Sequence, residues 1–251
     1  VALRVEPGDT PDKFIVSGRG ELHLSVLIES MRREGFELSV SRPEVIIREV
    51  DGVRKEPFEH LVMDIEDQHQ GLLMEVMGMR KGILRNLEPI GKGRIRLEYI
   101  IPARSLIGFQ SQFLTMTSGT GVLNFVFDHY GPVIESQLGN RINGVLVSMI
   151  NGTTTAYSLF NLQDRGRLIL GPGVDVYEGM ILGIHSRDND LPVNPIKGKQ
   201  LTNIRANGMD DALNLIPPLK LTLESAIDLI DHDELVEVTP KSIRLRKKDI
   251  R

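Results

Sequence analysis

The fold of this chain is decided by residues 58–127, which read FEHLVMDIEDQHQGLLMEVMGMRKGILRNLEPIGKGRIRLEYIIPARSLIGFQSQFLTMTSGTGVLNFVF. Runs that alternate apolar and polar residues, typical of half-buried strands, take turns with runs of helical spacing. Leu73, Val76 and Met77, for example, share one helical face. The predicted elements are, in order, a strand at 58–66, a helix at 70–79, strands at 83–90 and 94–101, a helix at 104–117 and a strand at 122–127.

The order β-α-β-β-α-β is that of the ferredoxin-like fold, in which two helices cover one face of a four-stranded antiparallel sheet. Before this block the sequence predicts a strand at 13–17, a helix at 21–34 and strands at 36–40 and 44–50. The helix has one apolar stripe, and Gly35 follows it as a stop signal. The stripe consists of Leu24, Leu27, Ile28 and Met31.

After Tyr130 the apolar runs become short and glycine punctuates them, which is typical of a mostly-β domain. These runs lie at 145–150, 156–162, 167–170 and 180–185, and a helix at 224–231 precedes a hairpin of 235–238 with 243–246. Residues 186–208 show little periodicity, and a loop of that length in a compact domain is usually functional or disordered. The fold class predicted for the whole chain is therefore α+β.

Composition narrows the function classes. The chain has 251 residues, a net charge of −4, 41% hydrophobic residues and no cysteine, so disulfides, zinc-thiolate sites and cysteine nucleophiles are excluded. The sequence shows no apolar run of about 18 residues and no signal peptide, so we expect a cytoplasmic protein without a membrane partner. Tryptophan is absent and aromatic residues make up 5%, which argues against binding dominated by base stacking.

No catalytic or cofactor motif stands out. The spacing Gly-x-x-x-x-Gly-Lys-Ser/Thr of a nucleotide-triphosphate loop is missing, and so is the Gly-x-Ser-x-Gly elbow of hydrolases. His60, Asp64, Asp67 and His69 lie close in sequence, but their spacing matches no tight metal-ligand set. We therefore predict no catalytic residue, no cofactor site and no metal site in these residues.

Charge is segregated along the chain. Residues 80–104 hold seven basic residues against two carboxylates, residues 209–238 hold eight carboxylates against one lysine, and residues 241–251 hold six basic residues against Asp249. An acidic protein with separate basic segments can still bind a polyanion locally. The alternative is that each cluster is an ordinary solvated surface.

Two motifs point to a family. Residues 17–24, SGRGELHL, resemble the Ser-Gly-x-Gly-Glu-Leu-His-Leu motif in the third domain of elongation-factor-G-like translational GTPases. Residues 57–130 are similar to that family's ferredoxin-like fifth domain, although Thr120 stands where elongation factor G usually has arginine. Further stretches are similar to the BipA, or TypA, branch of the family over essentially the whole chain, namely those at 101–109, 141–148, 176–180, 186–191, 199–205 and 233–247.

This resemblance implies three domains: 1–50 as the second half of the third domain, a partial ferredoxin-like unit; 51–130 as the complete ferredoxin-like fifth domain; and 131–251 as the mostly-β domain special to the branch. The half-domain lacks part of its sheet, so we expect its apolar stripe to be left uncovered. The resemblance also implies a GTPase that binds GTP and Mg²⁺ in a domain absent from this sequence. This chain alone should therefore be inactive.

The function implied is that of a ribosome-associated factor for large-subunit biogenesis, linked to cold, stress and virulence regulation. Its partners would be the ribosome, large-subunit rRNA and A-site tRNA, and we expect a monomer. The basic residues assigned to RNA binding are Arg187, Lys197, Lys199 and Arg205 in loop 186–208, and Lys241, Arg244, Arg246, Lys247 and Lys248 in the basic tail. The alternative is a ferredoxin-like regulatory module that binds a small ligand or a protein, with the loop as an excursion that has no partner.

Overall fold

The computed structural model describes residues 3–135, 141–198 and 214–249. In these ranges the helices α1–α5 are Glu21–Arg33, Gln70–Met79, Phe109–Met116, Ala156–Leu162 and Leu223–Leu229, and 3₁₀ turns lie at Asp67–His69 and Ala103–Leu106. The strands β1–β16 are Arg4–Pro7, Phe14–Ser17, Leu38–Ser41, Arg48–Val50, Val53–Glu66, Ile83–Gly91, Arg94–Pro102, Val122–Pro132, Val145–Ser148, Gly152–Thr153, Gly166–Leu168, Asp175–Val176, Ile181–His185, Leu191–Val193, Glu234–Val238 and Ile243–Lys247.

The chain forms two compact units, one of residues 43–140 and one that combines residues up to 42 with those from 141 onward. The unit of residues 43–140 contains an antiparallel sheet in the order β6-β7-β5-β8, and β4 pairs with the start of β5. With α2 between β5 and β6 and α3 between β7 and β8, this is the ferredoxin-like arrangement. The α+β class predicted from the sequence is thus confirmed.

The core of this unit follows from the two-residue period of its central strands. Leu61, Met63 and Ile65 on β5 are fully buried, and they pack against the helices that cover this face. Helix α3 contributes Phe109 and Phe113, whose ring centroids are 5.9 Å apart. The face is therefore sealed by side chains that come from within residues 61–113.

The second helix of this unit begins later than predicted. The sequence predicted a helix over 104–117, but Ala103–Leu106 is a 3₁₀ turn and α3 starts at Phe109. Gly108 between them has φ of 70°, a left-handed conformation that breaks a helix and that glycine adopts without strain. The apolar residues of 104–117 do have helical spacing, but Gly108 divides this stretch into a 3₁₀ turn and an α-helix.

The first 42 residues do not stand alone, which corrects the expectation of an uncovered stripe. Strand β3 pairs antiparallel with β15, the central strand of a three-stranded sheet whose other edge is β16. Ile28 of α1 is 8% exposed, and it shares a hydrophobic cluster with Ala226 and Ile227 of α5. The stripe is therefore covered by the C-terminal part of the chain, at least where Ile28 lies.

The rest of this unit is mostly β. Its largest sheet has the order β11-β13-β9-β14, in which β14 runs parallel to β9 and the other pairs are antiparallel. Strands β10 and β12 form a separate antiparallel pair. Buried side chains of Leu146, Leu182 and Val193, which lie on β9, β13 and β14, pack in one cluster with those of α4.

Two local predictions in this region are wrong. Residues 156–162 form helix α4 and not a strand, because Thr155 caps the helix by accepting the backbone N–H of Ser158 at 3.1 Å. Residues 191–193 inside the predicted loop 186–208 form strand β14, and residues 199–208 of that loop lie outside the described residues. The predicted domain limits at 50 and 130 concern sequence families, and they stay predictions.

Candidate nucleic-acid interface

A tight turn of residues 186–190 connects β13 to β14 and carries Arg187. The backbone N–H of Gly144 donates to Arg187 O at 2.7 Å, and the N–H of His185 donates to Gly144 O at 2.9 Å. A Cβ atom on Gly144 would lie 2.1 Å from Asn189 O, so the turn can approach this closely only because residue 144 is glycine. Arg187 itself is exposed.

The far end of the turn is fixed by Asp190. Its Oδ1 accepts the backbone N–H of Val145 at 2.9 Å, and its Oδ2 lies 2.6 Å from Lys247 Nζ. His185 Nδ1 lies 2.5 Å from Asn189 O, and since a carbonyl only accepts, this ring nitrogen carries the proton. The turn is thus held by backbone, side-chain and ionic contacts together.

Of the other loop residues predicted to bind RNA, Lys197 is exposed on the segment after β14. That segment is tied down next to it, because Thr155 Oγ1 donates to Lys197 O at 2.7 Å. Lys199 and Arg205 lie outside the described residues.

Lys247, at the end of β16, is surrounded by carboxylates. Its Nζ lies 2.6 Å from Asp190, 2.9 Å from Asp233 and 3.0 Å from Glu234, and its side chain is 12% exposed. Burial alone would lower the pKa of Lys247, but the hydrogen bonds that it donates to Asp190 and Asp233 and the charge of Glu234 raise the pKa above its ordinary value. The ammonium group therefore stays charged and is already paired within the protein.

The other basic residues of the tail differ in accessibility. Arg246 is half-buried and its Nε lies 2.8 Å from Glu237, while Arg244 is also half-buried. Lys248 is exposed and donates to the carbonyl of His232. Lys241 is exposed in the turn between β15 and β16. Seven of the basic residues predicted to bind RNA lie in the described parts of the chain. Four of them are exposed, at positions 187, 197, 241 and 248, and three are half-buried, at positions 244, 246 and 247.

Lys241 lines an open groove of about 630 Å³ beside α1. Arg32 and Arg33 of α1 line the same groove, and sequence reasoning did not select them. Arg32 Nε donates to Thr239 O at 2.9 Å, whereas the Arg33 side chain is 78% exposed and 3.1 Å from Glu29. No local signal links residue 33 to residue 241, because β3–β15 pairing brings them near each other only in the folded chain.

Sequence reasoning also missed the buried carboxylate at the centre of this region. Glu234 is fully buried, and it accepts hydrogen bonds from Arg141 Nη1 at 2.9 Å and Nη2 at 2.7 Å. Burial alone would lower the pKa of Arg141, but the hydrogen bond and charge of Glu234 raise it. The two residues are 93 positions apart, so no spacing in the sequence indicates the pair.

Within the parts of the chain that the structure describes, no three histidine or acidic side chains come together as metal ligands. None of the helices in those parts has both the length and the apolar character needed to span a bilayer. Among the described residues, the candidate site therefore consists of exposed basic side chains, whose charge suits an anionic partner.

Comparisons with known proteins show which families the chain resembles. Residues 53–141 match the family "Elongation factor G C-terminus", and residues 143–251 match the family "TypA/BipA C-terminal domain". A protein of Escherichia coli (strain K12) named "Large ribosomal subunit assembly factor BipA" is 61% identical over 250 residues, which are 100% of this chain and 41% of that protein.

Relatives with the same name occur in other bacteria. That of Haemophilus influenzae is 60% identical over 248 residues, 99% of this chain and 40% of the relative. That of Buchnera aphidicola is 56% identical over 247 residues, 98% of this chain and 41% of the relative. The chain spans about two fifths of the length of these relatives. It therefore belongs to the TypA/BipA family, with the elongation factor G C-terminus followed by the TypA/BipA C-terminal domain.

Proposed function

We propose that this chain is the ribosome-contacting part of a factor that assembles the large ribosomal subunit in the bacterial cytoplasm. The observation that carries the proposal is the 61% identity, over 250 residues, to relatives whose name states that role. The aligned 250 residues include the region from β9 to β16, which contains the exposed cations.

The partner surface that suits these cations is an RNA backbone. Arg187 and Lys197 project from segments whose backbone is already fixed, so little conformational freedom is lost when they meet a phosphate. Such contacts position a protein without reading sequence, and the shape of folded RNA supplies the selectivity. Large-subunit rRNA and A-site tRNA are the RNAs that the family resemblance implies.

We assign phosphate contact first to the exposed cations Arg187, Lys197, Lys241 and Lys248. Arg244 and Arg246 are less accessible, and Arg246 is paired with Glu237. Lys199 and Arg205 remain candidates from the sequence alone. The links to cold, stress and virulence, and the monomeric state, also rest on the family resemblance.

GTP binding and hydrolysis, with Mg²⁺, would require residues that this sequence does not contain. A phosphate loop aims several backbone N–H groups at the nucleotide, and the spacing that builds it is absent from these 251 residues. Calorimetric titration of the chain with GTP should therefore show no stoichiometric binding.

Co-sedimentation of the chain with large ribosomal subunits across a salt series tests the proposal. Each phosphate contact contributes about 0.7–0.9 to the slope of log affinity against log salt, so Arg187→Ala with Lys197→Ala should flatten that slope by about 1.5. Arg4→Ala is the control: Arg4 pairs with Glu6 on the same strand, β1, and its loss should leave the slope unchanged.

Failure of the unaltered chain to sediment with large subunits at low salt would overturn the proposal. That result would favour a regulatory module that binds a small ligand or a protein partner. If the unaltered chain sediments with large subunits and the variant with both Arg187→Ala and Lys197→Ala has the same salt slope, the RNA contact must be made by other cations.

A further inference from the structure

Hydrogen bonds at both ends hold the backbone of the turn of residues 186–190. Gly144 bonds the backbone at Arg187, and Ser186 N donates to Arg165 O at 2.9 Å. Asn143 Nδ2 donates to His185 O at 3.1 Å, and Asp190 accepts from Val145 N at 2.9 Å. Arg187 is thus an exposed cation on a backbone with almost no freedom.

The remaining link reaches across to the end of another sheet. Asp190 Oδ2 and Lys247 Nζ are 2.6 Å apart, which joins the turn to strand β16. Lys247 also meets Asp233 and the fully buried Glu234, and an ammonium group has three hydrogen-bond donors. Three carboxylates at 2.6–3.0 Å therefore occupy the ammonium group of Lys247 within the protein.

The surroundings of Lys247 disfavour contact with a phosphate. Even when Arg141, which pairs with Glu234, is counted, three carboxylates face two cations here, so a further anion at this point is disfavoured. Its side chain is 12% exposed, so an RNA strand could reach the ammonium only after a carboxylate had moved away. Lys247 was predicted to bind RNA because it is basic. Its contacts within the protein indicate a structural role instead.

We propose that Asp190 and Lys247 are positioning residues, whose ion pair fixes the 186–190 turn so that Arg187 is presented to an RNA phosphate. Lys247 itself touches no RNA. This inference rests on the proposed function. It makes the acidic Asp190 favourable for RNA binding, and it makes the basic Lys247 a residue that does not contact RNA.

The sharpest test uses the sign of a charge change. Asp190→Asn removes a negative charge near the RNA, which by simple electrostatics should tighten binding or leave it unchanged. The positioning role demands the opposite: the turn loosens, and affinity for large ribosomal subunits falls by about tenfold. Asp188→Asn makes the same charge change on an exposed side chain of the same turn, and it should not weaken binding.

A second test separates positioning from direct contact. Lys247→Met should weaken binding in the otherwise unaltered chain but add nothing in an Arg187→Ala background, because it acts through Arg187. A direct phosphate contact by Lys247 would instead flatten the salt slope by a further 0.7–0.9, roughly, in that background. Melting temperatures of all variants show whether they are folded, and if Lys247→Met is not folded, Asp190→Asn decides alone.

The outcomes are distinct. Weaker binding by Asp190→Asn, with no weakening by Asp188→Asn, supports the inference. Unchanged or tighter binding by Asp190→Asn, or a full effect of Lys247→Met in the Arg187→Ala background, overturns it while the proposed function stands. If the unaltered chain does not sediment with large subunits at all, both fall together.

Discussion

At the scale of single residues, the region around β15 depends on one carboxylate. Glu234 is fully buried and receives Arg141 at 2.7 and 2.9 Å, Lys247 at 3.0 Å and the backbone N–H of Asp231 at 3.0 Å. If its charge is removed, Arg141 and Lys247, two cations with low exposure, each lose one of their ionic partners. Breaking a buried ion pair on one side costs about 3–5 kcal/mol.

We therefore expect Glu234→Gln to lower the free energy of unfolding by about 3 kcal/mol in urea titrations. Glu6→Gln is the control, because the Glu6 side chain is 44% exposed and its pair with Arg4 is a surface contact worth about 0–1 kcal/mol. Equal effects of the two substitutions would mean that the Glu234 network contributes no more than a surface pair.

Asp228 gives a prediction about pH. Burial, with a smaller effect of Glu224, raises its pKa from 3.8 to about 6. A raised carboxyl pKa stabilises the folded state fully below pH 4, and this stabilisation is lost as the pH rises through about 6. Asp228→Asn should thus raise stability by about 1–2 kcal/mol at pH 7 and change it little at pH 4. Unfolding curves at both pH values check this, and an equal gain at the two would contradict the assigned cause.

The sequence predicted nine basic residues for RNA binding, but it could not show which of them are accessible to a partner. Lys247 and Lys248 are neighbours in the chain, yet one is enclosed by carboxylates and the other is exposed. The difference arises because Asp190 comes within 2.6 Å of Lys247 from 57 positions away, a contact that only the tertiary fold creates. The sequence shows which side chains are basic, whereas the ion pairs that they form depend on long-range packing.

At the scale of elements, helix α1 links the start of the chain to its end. Ile28 lies in one hydrophobic cluster with Ala226 and Ile227 of α5, and β3 pairs with β15 beside it. Ile28→Ala should cost about 2–4 kcal/mol, from lost burial and a residual cavity. Val26→Ala on the same helix is the control and should cost little, because Val26 is 57% exposed.

Hydrogen exchange shows whether Ile28→Ala destabilises α5 as well as α1. If α1 and α5 pack as one structure, Ile28→Ala should speed exchange in both helices, and Val26→Ala in neither. Faster exchange confined to α1 would mean that the helix frays from a stable C-terminal region.

Elements defined by local periodicity were the ones that could be predicted. The order of strands and helices in 58–127 follows from alternation and helical spacing, and it is the order found. Helix α4 was missed because its apolar run is short and its start depends on a Thr155 cap. The pairing of β3 with β15 was also missed, since nothing local connects Leu38 with Val238.

At the scale of the whole molecule, the two units differ in how their chains are assembled. The hydrophobic cluster of the unit of residues 43–140 takes all its side chains from residues 61–123, so it needs no other segment to close. The core around α5 takes Ile28, Leu38 and Val40 from the first 42 residues and the rest from residue 145 onward. The second unit is therefore discontinuous in sequence.

This difference predicts the behaviour of fragments. Residues 43–140 expressed alone should fold cooperatively, and β5 and β7 should exchange their backbone hydrogens as slowly in this fragment as in the whole chain. Residues 141–251 alone would leave one edge of β15 unpaired and would uncover the part of the α5 cluster that Ile28 covers. This fragment should therefore be destabilised and prone to associate.

Adding residues 1–42 as a separate peptide should restore stability to the 141–251 fragment, because the peptide supplies strand β3 and the Ile28 side chain. A peptide with Ile28→Ala should restore less, and one with Val26→Ala should restore as much as the unaltered peptide. Melting curves with and without each peptide measure this directly. A 141–251 fragment that melts at the same temperature with and without the peptide would show that the discontinuous core is dispensable.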